Sequence, residues 1–242
     1  MVFVRRADSY NGILNIISEG FLSSWRSKAQ EPLVRRPEES IYDSEIRFFT
    51  DIGDKFGPSL PTVKLVTLVF GRPTLPLVRD QIIPDIDYWN HVSGEKIDFF
   101  TVGFYTEDIK FDPTAFDDVL DNFEERSTWK YAHETDLLLL NARFTPTTLR
   151  AEFDFSNVVA LTLERALEEK AVVSIPQFFG NIVDFASSFQ GDDPSWGFSD
   201  AQGKRLVGSA LKNVLISLLP EAVRADAKSA FSFYVKDYRP KE

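Results

Sequence analysis

The hydrophobic pattern of the chain is most regular in its central part. Two runs rich in β-branched and large apolar residues, residues 64–70 and 97–103, each predict a buried strand. A third run, residues 137–140, consists of four consecutive leucines and predicts another buried strand. Apolar residues at helical spacing separate these runs, so the central part is predicted to alternate strand and helix.

Two helices are predicted between these three strands. The first covers residues 74–92, with Thr74 as its N-cap, and Pro84 inside it predicts a kink or a break. The second begins at Asp112, which caps it, with Pro113 in the first helical position. Its apolar residues recur at i, i+3, i+4 and i+7, which is typical of a helix packed on a sheet.

The segment after the third strand predicts a β-hairpin. Residues 144–147 are short enough for the turn, and residues 148–155 then alternate apolar and polar side chains. Alternation is typical of a half-exposed strand, so we expect this strand near an edge of the sheet. A helix capped by Ser156 is predicted to close the unit at about Lys170.

Further helices are predicted on both sides of this unit. Residues 9–28 and 43–56 carry apolar side chains at helical spacing. The remainder of the chain is also predicted to be helical, with a loop at residues 191–195. A capping box formed by Ser199 and Gln202 is expected to open the helix after that loop.

The central order β-α-β-α-β-β-α resembles the thioredoxin-like fold, which has a βαβ half, a helix, a β-hairpin and a closing helix. The resemblance covers about residues 63–170 and implies a three-layer α/β core. Residues 1–62 would then be an N-terminal helical extension, and residues 171–242 would be C-terminal helices packed on the core. A small doubly wound sheet of the flavodoxin kind is the alternative, in which residues 137–140 form a parallel strand.

The residues at two family positions imply that the chain is non-redox. Where thioredoxin-like proteins have paired cysteines, residues 72–75 read Arg-Pro-Thr-Leu. Where they have a proline before the third strand, this chain has Glu134 and Thr135. The resemblance therefore implies the fold without the family's redox chemistry.

Composition and charge narrow the function classes. The 242 residues contain no cysteine, which excludes disulfides, thiolate catalysis and thiolate metal sites. Two histidines exclude a multi-histidine metal site, so no cofactor is predicted beyond the open alternative of a divalent cation held by carboxylates. A net charge of -10 argues against an extended nucleic-acid surface. The expected location is the cytoplasm, because no secretory h-region and no apolar run of roughly 18 residues is present.

The first candidate site combines residues from two loops. A thioredoxin-like arrangement would bring Arg72 and Thr74, at the start of the first helix, close to His133, Glu134 and Asp136. The arginine and the helix N-terminus would bind a small anion, whereas the carboxylates would act as acid and base with His133 or hold a cation. Ordinary capping and ion pairing produce the same pattern, so a structural role is the competing interpretation.

The second candidate site follows the second strand. Tyr105, Glu107 and Asp108 lie beyond its carboxyl end, where open α/β sheets bind ligands. Tyr105 would contact the ligand, and Glu107 and Asp108 would serve as catalytic carboxylates. A solvated loop is the competing interpretation.

Three function hypotheses follow from these patterns. The preferred one is a non-redox α/β binding or adaptor module that recognises a partner protein or a small anionic ligand. The second is a hydrolase or transferase that acts on a phosphorylated or nucleotide substrate with these carboxylates. The third is a homo-oligomeric structural subunit that associates through its Phe-rich C-terminal helices.

Overall fold

The three predicted apolar runs form adjacent strands of a mixed five-stranded sheet. The computed structural model describes residues 8–29, 33, 36–57, 60–92, 97–105, 109–206 and 235–241. The strands are β1 (Val63–Phe70), β2 (Ile97–Thr101), β3 (Phe104–Tyr105), β4 (Lys110–Phe111), β5 (Asp136–Thr145), β6 (Arg150–Thr162) and β7 (Val235–Lys236). β3 and β4 form a separate two-stranded hairpin, and the other five strands form the large sheet.

The large sheet has the strand order β2-β1-β5-β6-β7. β1 and β2 are parallel, whereas β5 runs antiparallel to β1, with Phe70 opposite Asp136. β5 and β6 form the predicted hairpin, in which Thr145 lies opposite Arg150. The doubly wound alternative is therefore wrong, because it requires β5 to run parallel to β1.

Seven α-helices are described, and they cover both faces of the sheet. They are α1 (Tyr10–Ala29), α2 (Ile41–Phe56), α3 (Ile86–Val92), α4 (Pro113–Arg126), α5 (Leu163–Glu168), α6 (Ile175–Ser188) and α7 (Pro194–Leu206). Side chains of α1, α2 and α4 share one apolar core with one face of the sheet, and side chains of α3, α5, α6 and α7 share the other core. Among the described helices, none has the length and apolar character needed to cross a membrane.

The alternation of side chains along β1 divides it between these two cores. Val66 and Leu68 face the core of α1, α2 and α4, whereas Leu65 and Val69 face the other one. All four are fully or almost fully buried. A strand covered by helices on both faces reads as a continuous apolar run, which is why sequence pattern alone located β1.

Pro84 interrupts the helical segment between β1 and β2, as predicted. The chain forms a π-helical turn at Val78–Ile82 and a 3₁₀ turn at Ile83–Asp85 before α3 begins. Proline has no N–H to donate and its ring displaces the preceding turn, which accounts for the change of helical type.

A buried ion pair joins the two parallel strands. Lys64 Nζ on β1 lies 2.7 Å from Asp98 Oδ2 on β2, and the two side chains are 3% and 1% exposed. Gly20 of α1 lies over the lysine, and a Cβ built on it would be 3.4 Å from Nζ. The pair therefore sits between the sheet and α1.

Two predicted helix starts are wrong. Ser156 does not cap a helix, because β6 continues to Thr162 and the helix α5 begins only at Leu163. The β-branched and apolar residues before Thr162 pair with β5 beyond a register shift at Leu140 and Asn141.

The second wrong start lies in the C-terminal part. α7 begins at Pro194, so Ser199 lies inside the helix instead of capping it. The carboxylate of Asp193 accepts the backbone N–H of Trp196, and proline follows Asp193 directly, which is a strong N-terminal signal. β7 was not predicted, since two residues give no periodic pattern. Residues 207–234, which were predicted to continue the C-terminal helices, lie outside the described residues.

Candidate functional site

The carboxyl end of β1 and the start of β5 meet as the first candidate site requires. Gly71 follows β1 directly, and a Cβ built on it would lie 3.3 Å from Thr135 Cγ2. Thr135 is held in turn by α5, because its backbone N–H and its hydroxyl both donate to Glu164, at 2.9 and 2.5 Å. Three separate segments of the chain thus converge here.

Asp136 is the buried carboxylate of this cluster. Its two oxygens accept hydrogen bonds from the backbone N–H of Ala132 and the hydroxyl of Thr162, both at 2.8 Å. Burial raises the pKa of Asp136, and the negative charges of Glu134 and Glu164 raise it further against the effect of the two hydrogen bonds. A carboxyl group in this environment holds its proton to higher pH than an exposed aspartate.

Tyr131 and His133 lie beside that carboxylate. Burial, followed by the charge of Asp136, raises the pKa of Tyr131 to about 12, although the positive charge of Arg72 acts in the opposite direction. The exposed ring of His133 lies 5.1 Å from the Tyr131 ring, centroid to centroid. The backbone of His133 is left-handed, with φ 62°.

Arg72 lies close enough to Tyr131 for its charge to act on that ring, but its ion-pair partner is a residue that was not predicted. Its Nη2 lies 2.7 Å from Asp117 Oδ1 on α4, and its guanidinium lies 4.9 Å from the centre of the Phe116 ring. Glu134 likewise has a partner of its own, with Arg165 Nε 3.3 Å from Glu134 Oε2. The carboxylates of the cluster are thus close together, and Arg72 and Glu134 each form an ion pair with a residue of a neighbouring helix.

Thr74 and Tyr105 are the remaining predicted residues within the described ranges. Thr74 lies in the turn between β1 and the helical segment. The Tyr105 hydroxyl donates to Asp112 Oδ2 at 2.8 Å, and this bond, with the N–H groups at the start of α4, lowers the pKa of Asp112. Glu107 and Asp108 lie outside the described residues. Within the described ranges, no three His, Asp or Glu side chains form a group that could hold a metal ion.

A second polar cluster lies at the register shift between β5 and β6, and its shared acceptor is Asp193. Asn141 Nδ2 and Asn157 Nδ2 donate to its two carboxylate oxygens at 2.7 and 2.6 Å. The backbone N–H of Trp196 adds a third hydrogen bond at 3.0 Å. The Ser195 hydroxyl, which has one proton, lies 2.8 Å from the Asn157 carbonyl and 3.0 Å from Asp193 Oδ1. The Asp193 carboxylate thus fixes the start of α7 to the sheet.

An open cleft of roughly 630 Å³ adjoins this second cluster, between the start of α7 and β7. Its lining includes Asn157, the half-exposed ring of Trp196 and the charged side chains Lys236, Asp237 and Arg239. Arg239 forms a two-point ion pair with Asp237, with the closest approach 2.6 Å. Lys236 and Arg239 are the two cations of the lining and Asp237 is its one carboxylate, while Asp193 lies behind Asn157 and Trp196 and accepts a hydrogen bond from each.

The sequence contained signals for this second cluster that pattern reasoning did not use. Asn141 interrupts an apolar strand pattern and is completely buried. A buried amide needs partners, and Asp193 before Pro194 is a typical helix start that supplies a carboxylate. Only the fold, however, brings Asp193 to a strand more than fifty residues earlier in the chain.

Comparison of the chain with protein-family models, with curated proteins and with solved structures gives no match. Function is therefore inferred from the contacts, burial and charges of the two clusters. The first concentrates carboxylates at the carboxyl end of β1. The second places an exposed aromatic ring and two cations beside a rigid polar network.

Proposed function

We propose that this protein is a non-redox α/β binding module that holds a small anionic ligand in the cleft between α7 and β7. One observation carries the proposal: the exposed Trp196 ring, Lys236 and Arg239 line the same cleft. Two neighbouring cations attract an anion, and aromatic side chains together with arginine are typical of binding surfaces.

The rigidity of the cleft floor supports the proposal. Asn157 lines the cleft and is fixed by its bond to Asp193, and the main chain at Trp196 is fixed by the same carboxylate. A site that is ordered before binding loses less conformational entropy when the ligand binds. The lining can therefore bind a small molecule without rearrangement of the sheet.

The proposal includes a thioredoxin-like core that has lost redox chemistry. The βαβ half from β1 to β2, the helix α4, the antiparallel hairpin of β5 and β6 and the closing helix α5 occur in the order of that fold. The chain has no cysteine, so a cysteine-based redox centre is excluded by its composition. Binding at the cleft would use a part of the molecule distant in sequence from residues 72–75.

Thermal unfolding with inorganic phosphate, sulfate and citrate at constant ionic strength tests the proposal. A ligand that binds only the folded state raises the midpoint with its concentration. We expect at least one anion to do so, and Lys236→Ala to remove the shift. Lys241→Ala, which removes an exposed lysine from the same C-terminal segment, should leave it unchanged. No shift with any anion, or equal losses in the two variants, contradicts the proposal.

A hydrolase or transferase at the first cluster is the second candidate function. The observation that favours it is the raised pKa of Asp136 beside Tyr131 and His133, since such groups serve as acid and base. A screen with phosphorylated and nucleotide substrates tests it, with Asp136→Asn expected to abolish any turnover found. The partner-protein and homo-oligomer hypotheses stay predictions, and the mass of the protein in solution tests the latter.

A further inference from the structure

The Trp196 ring is a preformed flat surface in the cleft. Its backbone N–H is used by Asp193 in the first turn of α7, so the main chain that carries the ring is fixed. The residue remains 51% exposed although large aromatic side chains are usually buried. An exposed indole held in this way can stack on a planar ring of a ligand.

Asn157 lines the cleft, and one atom of its side-chain amide is engaged by Asp193. A carboxylate only accepts hydrogen bonds, so the contact with Asp193 Oδ2 identifies the atom at 2.6 Å as the amide nitrogen Nδ2. The other amide atom, Oδ1, remains to accept a hydrogen bond. A ligand with N–H groups on its planar ring matches this acceptor.

The cations of the cleft suit one small anionic group. Arg239 uses Nε and Nη2 on Asp237, which leaves the N–H donors of Nη1 for a ligand beside the exposed Lys236. The bonds from Arg239 lower the pKa of Asp237 to about 2, so Asp237 is negatively charged at neutral pH. A ligand with several phosphates would meet that charge, whereas a single phosphate can avoid it.

From this combination we propose that the ligand of the cleft is a nucleoside monophosphate, with its base on Trp196 and its phosphate between Lys236 and Arg239. This inference rests on the proposed function and specifies the ligand class for the same site. A cleft of roughly 630 Å³ is within the usual size range of small-molecule sites. The base supplies the planar ring and the N–H donors, and the phosphate supplies the charge.

Calorimetric titration of the full chain with AMP, ribose 5-phosphate and inorganic phosphate tests the ligand class. We expect AMP to bind at least about tenfold more tightly than ribose 5-phosphate, because only AMP can stack. Trp196→Ala should remove that advantage, and Trp196→Phe should retain part of it. Tyr88→Ala, which removes another exposed aromatic ring, from α3, is the matched control and should change neither affinity.

The outcomes separate the two levels of the proposal. Equal affinities for AMP and ribose 5-phosphate, or an AMP affinity that Trp196→Ala does not weaken, overturn the nucleotide class and leave anion binding intact. Failure of all three compounds to bind overturns both.

Discussion

Carboxylates lie against the sheet in two kinds of environment. In the first kind, a cation or several donors lie against the carboxylate: Asp98 has Lys64 Nζ at 2.7 Å, and Asp193 accepts hydrogen bonds from two asparagine amides and a backbone N–H. At the carboxyl end of β1, by contrast, Asp136 accepts two hydrogen bonds from neutral donors and lies near two other carboxylates.

The difference indicates different roles for the two environments. A carboxylate that faces a cation or several donors is stabilised in its charged form and holds segments of the chain together. Its removal should therefore reduce the free energy of unfolding. A buried carboxylate with few donors and like-charged neighbours is protonated more readily, because burial and nearby negative charges both disfavour its charged form. We therefore expect the first kind to control the free energy of unfolding, and Asp136 to control its pH dependence.

The largest effect is expected from Lys64→Met. The substitution leaves Asp98 buried beside an apolar side chain, and loss of one partner of a buried ion pair typically costs about 3–5 kcal/mol. Urea denaturation at neutral pH measures the loss. The double variant Lys64→Met with Asp98→Leu should recover most of it, because no uncompensated charge remains.

A matched control uses an exposed ion pair. Arg79 and Asp80 are both more than half exposed, so Arg79→Ala should change the free energy of unfolding very little. If Lys64→Met lowers the free energy of unfolding as little as Arg79→Ala does, the buried ion pair does not stabilise the fold. The role expected for Asp98 is then wrong.

Asp193→Ala is expected to have the next largest effect. It removes the shared acceptor of Asn141 and Asn157 and the N-cap of α7, so the free energy of unfolding should fall by about 3 kcal/mol. Asp192→Ala removes the exposed neighbouring carboxylate and should change stability by no more than about 0.5 kcal/mol. Similar losses in both variants would show that the hydrogen bonds to Asp193 contribute little.

Thr67→Val tests the opposite case to Asp193, a buried polar group that lacks partners. The Thr67 hydroxyl lies in the middle of β1 and has no hydrogen-bond partner within the described part of the chain. Replacing it with a methyl group of similar shape should increase the free energy of unfolding by about 1 kcal/mol. Thr162→Val is the same change at a hydroxyl that donates to Asp136, and it should lower stability. Loss of stability in Thr67→Val would indicate a partner outside the described residues.

The elements that were predicted best from sequence are those whose burial shows in the order of apolar and polar residues within the element itself. β1 and the hairpin of β5 and β6 were predicted from two patterns. A continuous apolar run indicates a strand that is buried on both faces, and strict alternation indicates a strand that is buried on one face. The extension of β6 to Thr162 was missed, since Ser156 and Asn157 resemble a helix start and the register shift that accommodates them involves both strands.

The candidate sites show the same limit for side chains. Sequence order placed Asp136 and Glu134 in one cluster, because Asp136 is the first residue of β5 and Glu134 lies two residues before it. The partners of Arg72 and Asn141 lie 45 and 52 residues away along the chain, and no local pattern specifies them. The cleft with Trp196 and Lys236 also joins distant segments, so it was found only from the fold.

The smallest effect, and the one that separates the two environments most directly, is expected from Asp136→Asn. The asparagine can accept from Ala132 through Oδ1 and donate to Thr162 through Nδ2, so both contacts of Asp136 are retained. The pKa of Asp136 is raised in the folded state, so its stabilising contribution is complete below the unfolded pKa of about 4 and is lost as pH rises through the folded pKa. Asparagine does not titrate, and urea denaturation from pH 4 to pH 8 should show the variant gaining stability relative to the natural protein as pH rises.

Asp87→Asn on the exposed side of α3 controls for the loss of one negative charge. The pKa of Tyr131, raised to about 12 partly by the charge of Asp136, should also fall in Asp136→Asn, which NMR of the tyrosine ring carbons would measure. A stability difference that shrinks as pH rises would instead mean that the folded protein stabilises Asp136 as an anion.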